Sequence, residues 1–175
     1  ETIQIPAKGS FTLPKDESVI LPFNFLMEDA LLKYATAQLL MKIDDNGKEH
    51  YFFFTPDGMN TEYVFDKATV RGKNQFAPVP GLKSTFSIRT KAGKEVKITT
   101  LTREQALNSC KIDGKLLITE ATVLPGSGEV QLLSLGNNRF EYVLYPSKQG
   151  FKPYIKEVEI VKPDFSYKKV GARRL

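Results

Sequence analysis

Turn signals recur so closely along this chain that only short extended segments fit between most of them. Asp45-Asn46-Gly47, Asp57-Gly58, Ala92-Gly93-Lys94, Asp113-Gly114, Pro125-Gly126-Ser127-Gly128 and Gly136-Asn137-Asn138 punctuate the sequence. Gly, Asn and Asp tolerate the positive φ of tight hairpin turns, so several of these sites are expected to close two-residue hairpins. Between them lie runs rich in aromatic and β-branched residues, including Tyr51-Phe52-Phe53-Phe54-Thr55, Ser84-Thr85-Phe86-Ser87-Ile88, Val96-Lys97-Ile98-Thr99 and Phe140-Glu141-Tyr142-Val143-Leu144-Tyr145. Such side chains suit a pleated, half-buried surface. Many short strands between regular turns point to a sandwich or barrel and away from βαβ units. The expected fold is all-β: an antiparallel, jelly-roll-like β-sandwich with one short helix. Its core is expected to hold Leu39, Met41, Phe52, Phe54, Phe86, Ile88, Ile98, Leu117, Val143 and Ile160.

Two segments test that expectation. Residues 28–41 are rich in Ala and Leu and carry strong helix propensity. Yet Ala35, Ala37, Leu39, Met41 and Ile43 are apolar, while Thr36, Gln38 and Lys42 between them are polar. That period of two predicts a strand over residues 34–43, with a helix as the rival. In residues 102–108, Thr102 is followed three positions later by Gln105, a capping-box spacing that predicts the short helix. The stretch 72–82 holds two prolines and two glycines without a regular period. It reads as a crossover between sheets or a linker. The crossover is the more economical choice, because a small sheet alone buries little surface. Residues 1–175 are therefore taken as one sandwich unit, with two small β subdomains as the alternative.

The 175 residues suit about one domain, and a composition 41% hydrophobic and 26% charged is that of a globular chain. A single cysteine, Cys110, forms no internal disulfide, and a single histidine, His50, anchors no multi-histidine metal site. No cofactor is implied. No apolar run approaches the ~20 residues of a membrane span. The first residues lack the pattern of a signal peptide, and a start at Glu1 is expected of a processed product or an excised piece. The net charge of +5 comes from scattered lysines, often beside acids as in Lys156, Glu157 and Glu159, and from the basic tail Lys168, Lys169, Arg173 and Arg174. That is a solvated surface, without the basic stripe interleaved with aromatics that a nucleic-acid binder presents.

Candidate chemistry is thin. Two spaced carboxylates suffice for glycosidic cleavage, and Glu28, Asp29, Asp44, Asp45, Asp57, Glu62 and Asp66 are available. Asp44, Asp45 and Asp57 fall in turns, where a short acid bonds its own backbone, and no motif brings two acids together. Cys110 reads as a buried small hydrophobe beside the short helix. His50 lies next to Glu49 near a turn, with no relay implied and no G-x-S-x-G elbow elsewhere. Gly126-Ser127-Gly128 precedes a strand and so does not match a phosphate-binding loop. The aromatics, 12 Phe and 7 Tyr with no Trp, suit either core packing or a sugar platform. Three consecutive phenylalanines cannot all face one core, because neighbours in a strand point to opposite sides. One ring must lie under a second layer, another part of the chain or a neighbouring domain. Possible docking or sugar contacts around this region are Tyr51, Phe53, Asp57, Glu62 and Tyr63.

Leu21-Pro22-Phe23-Asn24-Phe25, Leu31-Leu32-Lys33-Tyr34-Ala35-Thr36-Ala37-Gln38-Leu39-Leu40, Tyr51-Phe52-Phe53-Phe54-Thr55-Pro56-Asp57-Gly58 and Glu62-Tyr63-Val64-Phe65 together carry a resemblance. Leu101-Thr102-Arg103-Glu104-Gln105-Ala106-Leu107 and Asp113-Gly114-Lys115-Leu116-Leu117-Ile118 extend it to about two-thirds of the chain. This pattern resembles the non-catalytic β region that follows the catalytic barrel in bacterial β-galactosidase-like glycoside hydrolases, most like family 35. The family's two catalytic glutamates belong to a (β/α)8 barrel of ~250 residues, too long for this chain to contain. The resemblance implies an accessory β domain, inactive by itself, that packs on the catalytic barrel of the same parent polypeptide. It also implies a periplasmic, cell-surface or secreted setting. The alternative is an autonomous carbohydrate-binding module with a Tyr face, which the lack of Trp disfavours. On the docking reading, free sugar binds at millimolar affinity or worse, about 4 kcal/mol or less.

Overall fold

The computed structural model describes residues 4–45, 47–112, 115–119, 122–125, 130–133, 139–145 and 154–159, with side chains described for 4–45, 47–111 and 116–118. By its contacts the chain divides into two compact units, Glu1–Leu107 and Asn108–Leu175. In the first, the order is β1 (Phe23–Met27), β2 (Ala30–Ala35), β3 (Gln38–Asp44), β4 (Glu49–Thr55), β5 (Tyr63–Phe65), β6 (Val70–Arg71), β7 (Gln75–Phe76), β8 (Phe86–Thr90), β9 (Glu95–Thr102) and α1 (Arg103–Leu107). These strands form a four-stranded sheet, β1-β2-β5-β7, and a five-stranded sheet, β3-β4-β9-β8-β6. The two pack face to face as a β-sandwich. The second unit continues with β10 (Ser109–Ile112), β11 (Lys115–Thr119), β12 (Thr122–Pro125), β13 (Val130–Leu133), β14 (Arg139–Tyr145) and β15 (Tyr154–Glu159). Its strands make an antiparallel sheet β10-β11-β14-β15 and a hairpin β12-β13.

Local chemistry explains the turns and the helix. The β3–β4 hairpin closes through Asp45 and Lys48, which exchange backbone bonds of 2.8 and 3.2 Å, with Gly47 at φ +77°. Gly93, at φ +93°, closes the β8–β9 hairpin in the same way. At α1 the capping box forms as the spacing predicts. Gln105 N–H donates to Thr102 Oγ1 at 3.2 Å, and Thr102 N–H donates to Gln105 Oε1 at 3.1 Å. Together these bonds satisfy two backbone donors that a helix start and its cap would otherwise leave open.

The core lies between the two sheets of the first unit. Met27, Ala30, Leu32, Tyr63 and Phe65 come from one, and Tyr51, Phe53, Val70, Ile88, Val96 and Ile98 from the other. Aromatic edges knit the layers. Phe53 meets Tyr63 edge-on at 5.3 Å between ring centres, Tyr63 meets Phe86 at 5.4 Å, and Phe86 stacks on Phe76 at 4.4 Å. Each such pair contributes about 1 kcal/mol beyond simple burial. The Tyr63 hydroxyl, enclosed by this core, is satisfied by Thr100 Oγ1 at 2.8 Å.

Several expectations need correction. Residues 34–43 are extended, not helical, but they belong to two strands in different sheets. The chain crosses from β2 to β3 at Thr36-Ala37, and its small side chains let it pass between the layers fully buried. A bulge between Leu39 and Met41 then shifts the phase. Leu39, paired with Phe53 on the edge strand, is 40% exposed, and Met41, paired with Phe52 on the opposite face, is half-buried. In β4 the expected phase is reversed, because Tyr51 and Phe53 face the other sheet. Phe52 is fully buried on the opposite face, and Phe54 is half-buried. Phe86 is half-buried against the core, whereas Ile88, Ile98 and Leu117 are buried as expected. The side chain of Val143 and the whole of Ile160 lie outside the described residues. The jelly-roll-like antiparallel pattern is broken at β4–β9, which pair in parallel. The chain visits both sheets between these two strands and so returns in the same direction, as a crossover connection requires.

Residues 72–82, read as a crossover or linker, lie inside the first unit. β7 pairs with β5 there, and Gly81 N–H donates to Thr100 O at 2.8 Å. The separation by contacts falls instead after α1. Cys110 sits half-buried on β10 and not on the helix, and burial pushes its thiol up.

Candidate functional site

One concavity among the described residues grows from the crossing at Thr36. A chain passing between sheets leaves polar backbone groups that need partners inside the protein. Thr36 supplies them for residues 60–62. Its N–H donates to Glu62 O at 2.9 Å, its hydroxyl donates to Asn60 O at 2.6 Å, and Glu62 N–H donates to Thr36 Oγ1 at 2.7 Å. Beside them Thr55 and Thr61 share a buried hydroxyl bond of 2.5 Å. The end of the β4–β5 connection is thereby held from within.

Against this wall runs the N-terminal segment. Ala7 N–H donates to Glu62 Oε2 at 3.0 Å, and the Tyr34 hydroxyl also bonds the Glu62 carboxylate. Burial raises the Tyr34 phenol above its ordinary value, and the neighbouring Glu62 charge adds to the rise. Farther along, the segment presses on Gly58. A Cβ there would lie 2.1 Å from Thr12 O, and φ is +77°, so only glycine fits this approach. Between segment and wall opens a cleft of about 320 Å³ lined by Pro6, Ala7, Lys8, Ser10, Phe11, Asn60, Thr61, Glu62 and Gln75.

The residues singled out from the sequence separate sharply. Tyr51, Phe53 and Tyr63 are buried in the sandwich core, at 4%, 0% and 0% exposure, so neither a sugar nor a protein partner reaches their ring faces. Their role is packing, because the β4 phase turns them inward. Asp57 is exposed in the connection from β4 to β5, which joins different sheets and is no hairpin. It shares Arg103 with Glu17, at 3.3 and 2.6 Å. Glu62 alone of the five lines the cleft. Lys8, Ser10, Phe11, Asn60 and Gln75 were not legible beforehand. They come from three separated stretches, and no spacing rule links them.

A second polar group lies on the face of β4 turned away from the other sheet. His50 is buried and stacks on Phe52 at 4.1 Å, and its Nε2 lies 2.7 Å from Thr99 Oγ1. Thr99 in turn bonds Thr85 Oγ1 at 2.6 Å. Burial lowers the imidazole to about 4, with Asp45 opposing and Lys97 adding to the fall, so it is neutral near pH 7. Asp45 pairs with Lys97 at 2.6 Å. At the strand's start, burial works to raise the Glu49 carboxyl, but bonds from Lys42 and Tyr51 outweigh it and hold it below the ordinary range. This arrangement ties strands together, and His50 and Thr99 within it are both buried.

Among the described residues, no group of three His, Cys, Asp or Glu side chains is placed to hold a metal ion, and no helix is long and apolar enough to cross a membrane. In comparisons with known proteins, no family model and no curated protein matches the chain.

Proposed function

We propose that this chain is an accessory, non-catalytic β domain of a secreted glycoside hydrolase, β-galactosidase-like, that packs on the catalytic barrel of the same parent polypeptide. On this reading it acts outside the cytoplasm, and its contribution is to support the barrel. The observation that carries the reading is where the apolar side chains lie. The rings that could form a sugar platform, Tyr51, Phe53 and Tyr63, are committed to the sheet-to-sheet core. Apolar groups on two edge strands are left outside: Phe23 and Leu26 of β1 at 52% and 62% exposure, and Leu39 of β3 at 40%. Ile20, just before β1, is 83% exposed, and its N–H donates to Gln38 Oε1 at 2.8 Å, joining the two edges. An apolar border of this kind suits burial against a larger body.

The test has two steps. The reading frame upstream of Glu1 should encode a (β/α)8 barrel. Deleting this segment from the longer polypeptide, or placing Asp at both Phe23 and Leu26, should lower the melting temperature of its aryl β-galactosidase activity. The isolated chain should hydrolyse no aryl β-galactoside above background. A frame without a barrel, or a barrel indifferent to both changes, overturns the proposal.

A further inference from the structure

We propose that the edge of the first unit's sandwich formed by β6, β7 and the adjoining β8 docks on an anionic lipid surface. β6 ends the five-stranded sheet and β7 the four-stranded one. Only residues 72–74 separate them, so both sheets finish on the same side. Residues 67–91, which supply this edge, contain Lys67, Arg71, Lys73, Lys83, Arg89 and Lys91 and no Asp or Glu. Each of these cations is exposed. Other cations of this unit stand beside acids: Lys42, Lys48, Lys94, Lys97 and Arg103 each form an ion pair. The strand register concentrates the charge further. Arg71 lies directly opposite Arg89, and its guanidinium donates to Lys91 O at 2.6 Å, which gathers the three at one place on the edge.

Charge on an edge strand also serves to block pairing with another chain. A few charges of either sign meet that purpose. It does not call for like charges directly opposite each other, which cost stability. A positive field with no acid inside it fits a partner that supplies the negative charge. The connection from β7 to β8 selects a lipid surface over a soluble polyanion. Val79, between Pro78 and Pro80, is 84% exposed there, and Lys83 follows it. An apolar tip gains nothing from a phosphate chain in water, but it gains by entering the acyl boundary beneath a layer of headgroups. The cations come from two strands and the connections around them, an arrangement that suits many headgroups in a plane. Each Lys or Arg near such a surface raises affinity about fivefold, so several together give measurable binding. The contact is peripheral, with no segment crossing the bilayer. It goes beyond packing on a catalytic barrel and does not rest on it, because β1 and β3, offered for that contact, end the two sheets at their other edges.

The test is co-sedimentation of the 175-residue chain with vesicles of phosphatidylcholine alone, or of equal parts phosphatidylcholine and phosphatidylglycerol. The chain should bind the anionic vesicles and not the neutral ones. Raising salt from about 0.1 to about 1 M should release it, as the screening length falls from about 10 to about 3 Å. The paired change Arg89→Glu and Lys91→Glu should weaken binding about thirtyfold or more. Lys15→Glu with Lys33→Glu makes the same change in net charge at exposed positions outside residues 67–91, and should weaken it by about threefold or less. Val79→Asn leaves the charge alone and should weaken it about threefold or more. Every changed side chain is exposed, so melting temperatures should stay at the wild-type value. Should the first pair unfold the chain, Lys67→Glu with Lys83→Glu reads the same field. No binding to anionic vesicles, an equal loss in the edge and control pairs, or an unchanged affinity in Val79→Asn overturns the proposal. Binding to heparin or a single-stranded oligonucleotide, with none to vesicles, overturns the lipid surface as the partner. None of these outcomes depends on the parent polypeptide or its hydrolytic activity.

Discussion

Tyr51 and Phe53 leave β4 toward the opposing sheet, while His50 and Phe52 leave it on the other side. Both faces of this strand are buried, yet they are held by different physics. The inner face is a chain of aromatic edges with one buried hydroxyl pair, Tyr63 with Thr100, and its cohesion comes from area and close packing. The outer face is threaded by polar groups: His50, Thr99, Thr85 and the Asp45–Lys97 pair. Its cohesion depends on hydrogen bonds staying matched and on an imidazole staying neutral. The inner face should therefore be sensitive to volume and indifferent to pH, and the outer face the reverse.

The largest effect should come from volume on the inner side. Phe53→Ala removes a fully buried ring between Tyr63 and the rest of the core, and should cost about 3–5 kcal/mol in denaturant unfolding at pH 7. A loss below about 1 kcal/mol would mean that the sheets do not pack through this ring.

Acid between pH 7 and 4 should act next, through His50 on the outer face. The folded-state value for His50 is about 4, against 6.5 when unfolded, so the unfolded chain binds the extra proton first as pH falls. Its contribution is complete above pH 6.5 and is lost between there and pH 4, up to roughly 3 kcal/mol. Carboxyls held low, such as Glu49, lose their contribution at more acid pH. Unfolding free energies measured across pH 4–7 should thus fall in the parent chain and stay flatter over this window in His50→Gln. Parallel curves for the two would remove His50 as the cause.

Smaller changes sharpen the contrast. Thr99→Val keeps the shape but strips a hydroxyl that serves both His50 and Thr85, and should cost about 1–2 kcal/mol. Because the lost partner is the imidazole's, the variant should also change the slope of stability against pH. Tyr63→Phe deletes the hydroxyl facing Thr100 and leaves the ring in place, for about 1 kcal/mol and no change in pH slope. If Tyr63→Phe altered the slope and Thr99→Val did not, the division between the faces would be misplaced. Thermal unfolding at several pH values reads both.

Turn residues, β-rich runs and the Thr102–Gln105 cap act over a few positions, so the sequence alone carried the all-β class, the β3–β4 and β8–β9 turns and the short helix. It also carried the inference that the phenylalanines of β4 must divide between two faces. Which face received which ring was decided elsewhere. β4 and β9 lie inside a five-stranded sheet and are buried nearly throughout, so their apolar runs show no alternation from which a phase could be read. The bulge at Leu39–Met41 and the change of sheet at Thr36-Ala37 depend on partners that sequence spacing does not name. The cleft depends on tertiary structure even more strongly. Glu62 was identifiable as an acid, but Lys8, Asn60 and Gln75 become its neighbours only because the N-terminal segment lies against a loop anchored by Thr36. Local conformational preferences are written residue by residue. Side-chain direction and the meeting of distant segments are settled by which packing buries the most apolar surface while leaving its polar groups bonded.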